Sequence, residues 1–150
     1  MPAARPAEIL LVEDNEDCVY LTQRAFGKAK LVANLHHVNN GRKCLQFLRR
    51  QVPYRNAPVP DLILLDLDMP VMDGRHTLAE IVNDESLKHL AVVVLTSGGG
   101  DQEILRMYQL GCKSYICKPV DFDKYVHMVK TLADYWLSVV MLPTNRAANG

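Results

Sequence analysis

The chain alternates short runs of consecutive apolar residues with longer stretches in which apolar residues recur every three or four positions. Ile9, Leu10, Leu11 and Val12, then Leu62, Ile63, Leu64 and Leu65, then the run at 90–95, lack the polar alternation of half-solvated strands. They read as strands buried on both faces, the pattern of a parallel sheet. Residues 31–38 and 112–117 are two further strands, the first near a sheet edge with His36 and His37 inside it. Between them lie helical faces. Asn15 is placed to cap a helix using Cys18, Val19, Leu21, Ala25 and Phe26, which stops near Gly27. A turn at Asn39, Asn40 and Gly41 leads to a helix through Cys44, Leu45, Phe47 and Leu48, followed by a proline-marked loop over 50–60. Asp73 or Gly74 opens a helix carrying Leu78, Ile81 and Val82, and Asp101 caps one carrying Ile104, Leu105 and Tyr108. The last helix starts near Asp121 and keeps its apolar spacing through Trp136 and Val140, a length of about 20 residues or roughly 30 Å. Five strands alternating with five helices predict an α/β fold, a parallel sheet covered on both faces with right-handed crossovers. Residues 8–142 form the domain, with 1–7 and 143–150 as flexible ends.

Composition narrows the class. With 150 residues, 49% of them apolar and 23% charged, the chain can bury a core of ordinary size. Seventeen basic and seventeen acidic residues cancel, so no global field favours nucleic acid or an anionic membrane, and no stretch approaches the roughly 18 apolar residues of a membrane span. Cys18, Cys44, Cys112 and Cys117 form no CxxC pair and read as reduced core residues of a cytoplasmic protein. The five histidines share no metal-ligand spacing, and the Arg42, Lys43, Arg49, Arg50 group reads as a solvated helix face.

The chemistry gathers where strands end. The first finishes in Glu13 and Asp14, the third in Asp66, the fourth in Thr96 and Ser97, and the fifth in Lys118. In a parallel sheet these ends share one edge, where open α/β sheets place their ligands. Asp66 alone reads equally well as a turn cap; the convergence tips it towards function. Clustered carboxylates repel by roughly 4 kcal/mol per pair at about 4 Å and an effective dielectric of 20. Mg²⁺ relieves this well, since it takes oxygen ligands through one or two carboxylates and keeps waters. A carboxylate nucleophile beside a metal and a lysine is equipment for accepting a phosphoryl group.

In this order, LLVEDN, LLDLDMPVMDG, VLTS and YICKP resemble a response-regulator receiver domain over about residues 7–140. The resemblance implies the flavodoxin-like strand order 2-1-3-4-5, known for chemotaxis receivers. It implies Asp66 as phosphoacceptor, Mg²⁺ held by Glu13, Asp14, Asp66 and the main-chain carbonyl of Asp68, and Thr96 and Lys118 on the phosphoryl oxygens. Tyr115 becomes an aromatic switch that moves as Thr96 is drawn to the phosphate, and the Lys118–Pro119 bond is cis. Such a domain is a signalling phosphoacceptor that catalyses only its own phosphorylation and dephosphorylation. Its partner is a sensor histidine kinase. The ending YWLSVVMLP and the long 50–60 loop are similar to single-domain response regulators partnered with bacterial phytochrome kinases, and no DNA-binding domain follows.

Two other readings compete. Asp66 and Asp68 form a DxD pair like that of haloacid-dehalogenase-type phosphatases, but that motif opens a chain and continues with Gly and Thr, whereas here Met69 and Pro70 follow the third strand. A phosphorylation-independent adaptor is the second. It is motivated by Trp136, Val139, Val140 and Leu142, which continue the last helix and would leave an apolar surface suited to a homodimer. Gly98, Gly99 and Gly100 are expected to leave one side of the site open.

Overall fold

The computed structural model describes residues 6–29 and 33–136. Strands β1 (Ala7–Val12), β2 (Ala33–Val38), β3 (Leu62–Leu65), β4 (Val92–Thr96) and β5 (Ser114–Cys117) alternate with helices α1 (Glu16–Ala29), α2 (Gly41–Leu48), α3 (Gly74–Val82), α4 (Asp101–Leu110) and α5 (Phe122–Asp134). All neighbouring strands pair in parallel, in the order β2-β1-β3-β4-β5. The fold class is the flavodoxin-like one.

Unbroken apolar runs are required because each central strand feeds two cores. Successive side chains point to opposite faces. Leu10, Val12, Ile63, Leu65, Val92 and Val94 pack with Leu45, Phe47, Leu78, Ile81 and Met107 of α2, α3 and α4. Their neighbours Ile9, Leu11, Leu62, Leu64 and Val93 pack on the other side with Val19 of α1 and Leu132 and Trp136 at the end of α5. Helix starts follow short polar side chains: Asn15 accepts from the Cys18 N–H, Asn40 from Lys43, Asp73 from His76 and Asp121 from Lys124.

Several expectations are corrected. Helix α1 runs on past Gly27, whose cost of about 0.5–1 kcal/mol in a helix is small beside the packing of α1 on α5. Gly100, not Asp101, is the N-cap of α4; Asp101 is its first residue, its charge facing the positive helix end. The Lys118–Pro119 bond is trans. The intrinsic trans preference, about 0.5–1 kcal/mol, prevails there while Lys118 is anchored through its N–H to the Thr96 carbonyl; the cis bond among the described residues is Val52–Pro53. Trp136 is buried within the chain, because the sheet face beneath α5 needs its bulk as cover. Of the four cysteines only Cys44 and Cys112 are core residues; Cys18 is half-buried and Cys117 exposed. The expected continuation of α5 through Val139, Val140 and Leu142, the tail at 143–150, and the first five residues lie outside the described residues.

One glycine fixes how closely α3 approaches the strand edge. The Gly74 N–H donates to the Leu67 carbonyl over 2.9 Å, and a Cβ at Gly74 would run into the Asp66 carbonyl. Backbone atoms cannot swing aside as a flexible side chain can. Gly74→Ala is therefore expected to cost about 2 kcal/mol or more of stability, in the range of overpacked sites. Urea unfolding checks this, and an unchanged midpoint would show that the loop gives way freely.

Candidate functional site

Two strand ends deliver the acidic cluster, β1 through Glu13 and Asp14 and β3 through Asp66. The Glu13 N–H donates to the Val38 carbonyl and the Asp66 N–H to the Val12 carbonyl, so both residues continue their strands to the lip of the sheet. Carboxylate oxygens of Glu13, Asp14 and Asp66 all lie within 4.8 Å of one another, the group among the described residues able to hold a metal ion. Glu13 and Asp66 are buried, whereas Asp14 is exposed. Glu13 is clamped from several sides. Its Oε2 accepts from the Asn15 N–H at 3.2 Å, its Oε1 is in close contact with Lys118 Nζ, and its carbonyl accepts from His37 Nε2 at 2.7 Å.

Lys118 is the counter-charge. Its N–H donates to the Thr96 carbonyl at the end of β4, and its Nζ lies 3.8 Å from Asp66 Oδ1. The site is a cleft of about 200 Å³ that also takes in Asn15, Cys18, Asp68 and Ser97. Thr96 Oγ1 is buried with no hydrogen-bond partner. In a native fold such a group is uncommon and asks for a reason.

Charge and burial set the titration. Burial, then the field of Glu13, pushes the Asp66 carboxyl up to about 7, with Lys118 opposing. Burial works against the Lys118 ammonium, but its hydrogen bond to Glu13 and the fields of Glu13 and Asp66 outweigh that and raise its pKa. Burial also raises the Cys18 thiol, the main effect on that group. A cluster so charged suits a hard divalent cation, which accepts oxygen ligands and cancels the repulsion.

Residues 9–130 match the family described as response regulator receiver domain. The chain belongs to the response-regulator receiver family. Response regulator Rcp1 of Synechocystis sp. is 36% identical to this receiver, the match covering 92% of the present chain and 94% of Rcp1. The phosphorylated cyanobacterial phytochrome response regulator RcpA superposes with a TM-score of 0.88 at 37% identity, over 93% of this chain and 99% of RcpA. The Mn²⁺-bound form of Rcp1 does so with 0.86 at 36%, over 93% and 100%. These matches favour the receiver reading over the phosphatase reading of the Asp66 and Asp68 pair.

Every strand-end residue singled out from the sequence reaches this edge. Glu13, Asp14, Asp66, Asp68 and Lys118 line one cleft, and Thr96 stands at the end of β4. Tyr115 is different. Its hydroxyl donates to Glu103 Oε2 of α4 at 2.7 Å. Sequence reasoning missed Cys18, read as a core residue but lining the cleft one turn into α1 after the acidic pair; Ser97, the strand-end neighbour of Thr96, lines it as well.

The raised Asp66 value yields a signed prediction. A carboxyl whose folded pKa lies above its unfolded value of about 3.9 makes the folded state the tighter proton binder. Its contribution to stability falls as pH rises from about 4 to about 7, and stays low above that. At about 1.4 kcal/mol per pKa unit, Asp66→Asn in metal-free protein gains on the order of 2–4 kcal/mol at pH 8. The gain shrinks to nothing near pH 4. Urea unfolding of both proteins across this range is the measurement, and a gain that is absent at pH 8 or larger at pH 4 would contradict the assignment.

Proposed function

We propose that this receiver takes a phosphoryl group onto Asp66 from a sensor histidine kinase, with Mg²⁺, and signals through protein–protein contacts. The observation that carries the reading is the Thr96 hydroxyl, buried at the strand end beside Lys118 with nothing to bond. A phosphoryl group on Asp66 gives it an acceptor. Glu13, Asp14 and Asp66 hold the cation together with the main-chain carbonyl of Asp68, and the three close carboxylates are the fit. When bound, Mg²⁺ supplies the positive charge that offsets the phosphoryl oxygens.

The chain's own residues do the rest. An Asp66 carboxylate oxygen is the nucleophile, and Lys118, already in close contact with Glu13 and 3.8 Å from Asp66, turns its ammonium to a phosphoryl oxygen. Thr96 donates its hydroxyl to another. Phosphorylation adds about −1.5 to −2 charges and three acceptor oxygens at this point, enough to bias a two-state element. Tyr115 is that element, and its face of α4 and β5 is the output surface. The receiver acts on no external substrate beyond its phosphodonor.

Phytochrome appears in the name of the RcpA relative, which supports a phytochrome-type kinase as the partner. Four unpaired cysteines suit a reducing, cytoplasmic setting, and among the described residues no helix is long and apolar enough to cross a membrane. The working domain is taken to run from β1, which starts at Ala7, through residue 142. The protein also forms a homodimer through the end of α5. Support comes from an apolar groove of about 430 Å³ lined by Ile116, Leu132, Tyr135 and Trp136, with Tyr135 exposed beside it and Val139, Val140 and Leu142 following in the chain.

One experiment addresses both proposals. The protein is incubated with Mg²⁺ and acetyl phosphate, then followed by intact mass and sedimentation velocity. The parent is expected to gain one phosphoryl group, and Asp66→Asn or chelated protein none. A dimer is expected at micromolar concentration and a monomer for Tyr135→Glu. No mass gain on the parent overturns the phosphoacceptor, and a monomeric parent overturns the dimer.

A further inference from the structure

Arg75, the second residue of α3, lies between two groups of carboxylates. Its Nη1 is 3.5 Å from Asp68 Oδ1 and 3.9 Å from Asp73 Oδ2. On the other side its Nε donates to Glu103 Oε1 over 2.9 Å, and Nη2 is in close contact with the same oxygen. The second Glu103 oxygen, Oε2, accepts from the Tyr115 hydroxyl. Tyr115 is held at another point, since its backbone N–H donates to the Tyr108 hydroxyl at 3.0 Å. Side chains thus join the loop after Asp66 to α3, α4 and the edge strand β5.

This is more than a surface ion pair, which typically contributes only about 0–1 kcal/mol. Both Glu103 oxygens are engaged by different donors, one bond is a charge-assisted phenol contact, and the Glu103 side chain is only 19% exposed. The pair is also roofed. A Cβ at Gly99 would strike Glu103 Oε2 and come within 2.7 Å of the Tyr115 hydroxyl oxygen. Gly99, in the loop between β4 and α4, therefore lies directly against the carboxylate–phenol bond. The titration directions agree: Tyr115 foremost, then Arg75, holds Glu103 below its ordinary range, while burial and then Glu103 push the Tyr115 phenol up.

We infer that Glu103 and Arg75 are positioning residues that latch Tyr115 to α4 in the resting protein. The inference rests on the proposed roles of Asp66 as phosphoacceptor and Tyr115 as switch. A contact made in one of two states biases their equilibrium by its own free energy. Switching must break the Tyr115–Glu103 bond, so weakening the latch moves the free protein towards the active form and tightens binding of anything selective for that form.

The test uses the full chain with Mg²⁺ and beryllofluoride, a phosphoryl mimic, read by fluorine NMR and by the Tyr115 ring resonances. Glu103→Gln is expected to bind about tenfold more tightly than the parent, the size of a lost charge-assisted hydrogen bond. That gain vanishes in a Tyr115→Phe background, where there is no phenol to hold. Arg75→Gln gains less, because the Glu103–Tyr115 bond survives unanchored. Gly99→Ala changes no charge but displaces the Glu103 carboxylate, and so moves affinity the same way as Glu103→Gln. In free Glu103→Gln protein the Tyr115 resonances shift towards their bound positions, which a purely structural role would not produce. Unchanged affinity in Glu103→Gln and Gly99→Ala, or a gain that persists in Tyr115→Phe, overturns the latch alone. A parent that binds no beryllofluoride overturns the Asp66 reading, and the latch with it.

Discussion

The structure turns on a repulsion it does not remove: Glu13, Asp14 and Asp66 present carboxylate oxygens within 4.8 Å of one another at one edge of a sheet. Two such charges at about 4 Å cost roughly 4 kcal/mol at an effective dielectric of 20. One lysine partly offsets this. Lys118 engages Glu13 and reaches Asp66, yet the Asp66 carboxyl stays near pH 7 in its affinity for a proton. The fold holds the cluster in place because each member continues a strand whose neighbours are apolar and buried on both faces. A site that is unfavourable when empty gains most when a cation enters, which is how stability is exchanged for binding.

The remaining geometry serves that edge. Gly74 lets α3 press against the Asp66 backbone, so the loop carrying Asp68 is short and closely packed. At the end of β4 Thr96 keeps a buried hydroxyl without a hydrogen-bond partner. Further out, Arg75 and Glu103 connect the Asp68 loop to Tyr115, and Gly99 packs directly over that connection. Two features of Tyr115 thus meet at one residue. Its ring packs against the core, and its hydroxyl reports on a network that begins beside the metal-binding loop.

Much of this was legible in the chain itself. Apolar runs ending in Glu13 with Asp14 and in Asp66 specify buried parallel strands with polar tips, and parallel pairing brings those tips together with Lys118 at the end of the edge strand β5. The cap at Asn15 was equally plain, since a short polar side chain before an apolar helical face has a local cause; Asn40 read only as part of a turn, and Asp73 and Asp121 only as approximate helix starts. What was not legible depends on distances across the fold. Arg75 and Glu103 are 28 residues apart and look like ordinary charged positions of two helices. Gly99 reads as loop freedom until the Glu103–Tyr115 pair is found beneath it. Trp136 reads as surplus apolar surface because the sequence does not say how much of the sheet face α5 must cover. The Lys118–Pro119 isomer is set by backbone context and has no signature in side-chain pattern.

Burial first, and then the field of Glu13, lets Asp66 hold a proton up to about pH 7, and a divalent cation releases it. Mg²⁺ titration calorimetry in buffers of different ionisation enthalpy measures the linked proton directly. Binding at pH 7 should release about half a proton, and binding at pH 9 almost none, with affinity rising between pH 6 and pH 8. A proton release of zero at pH 7, with affinity independent of pH over that range, would contradict the account.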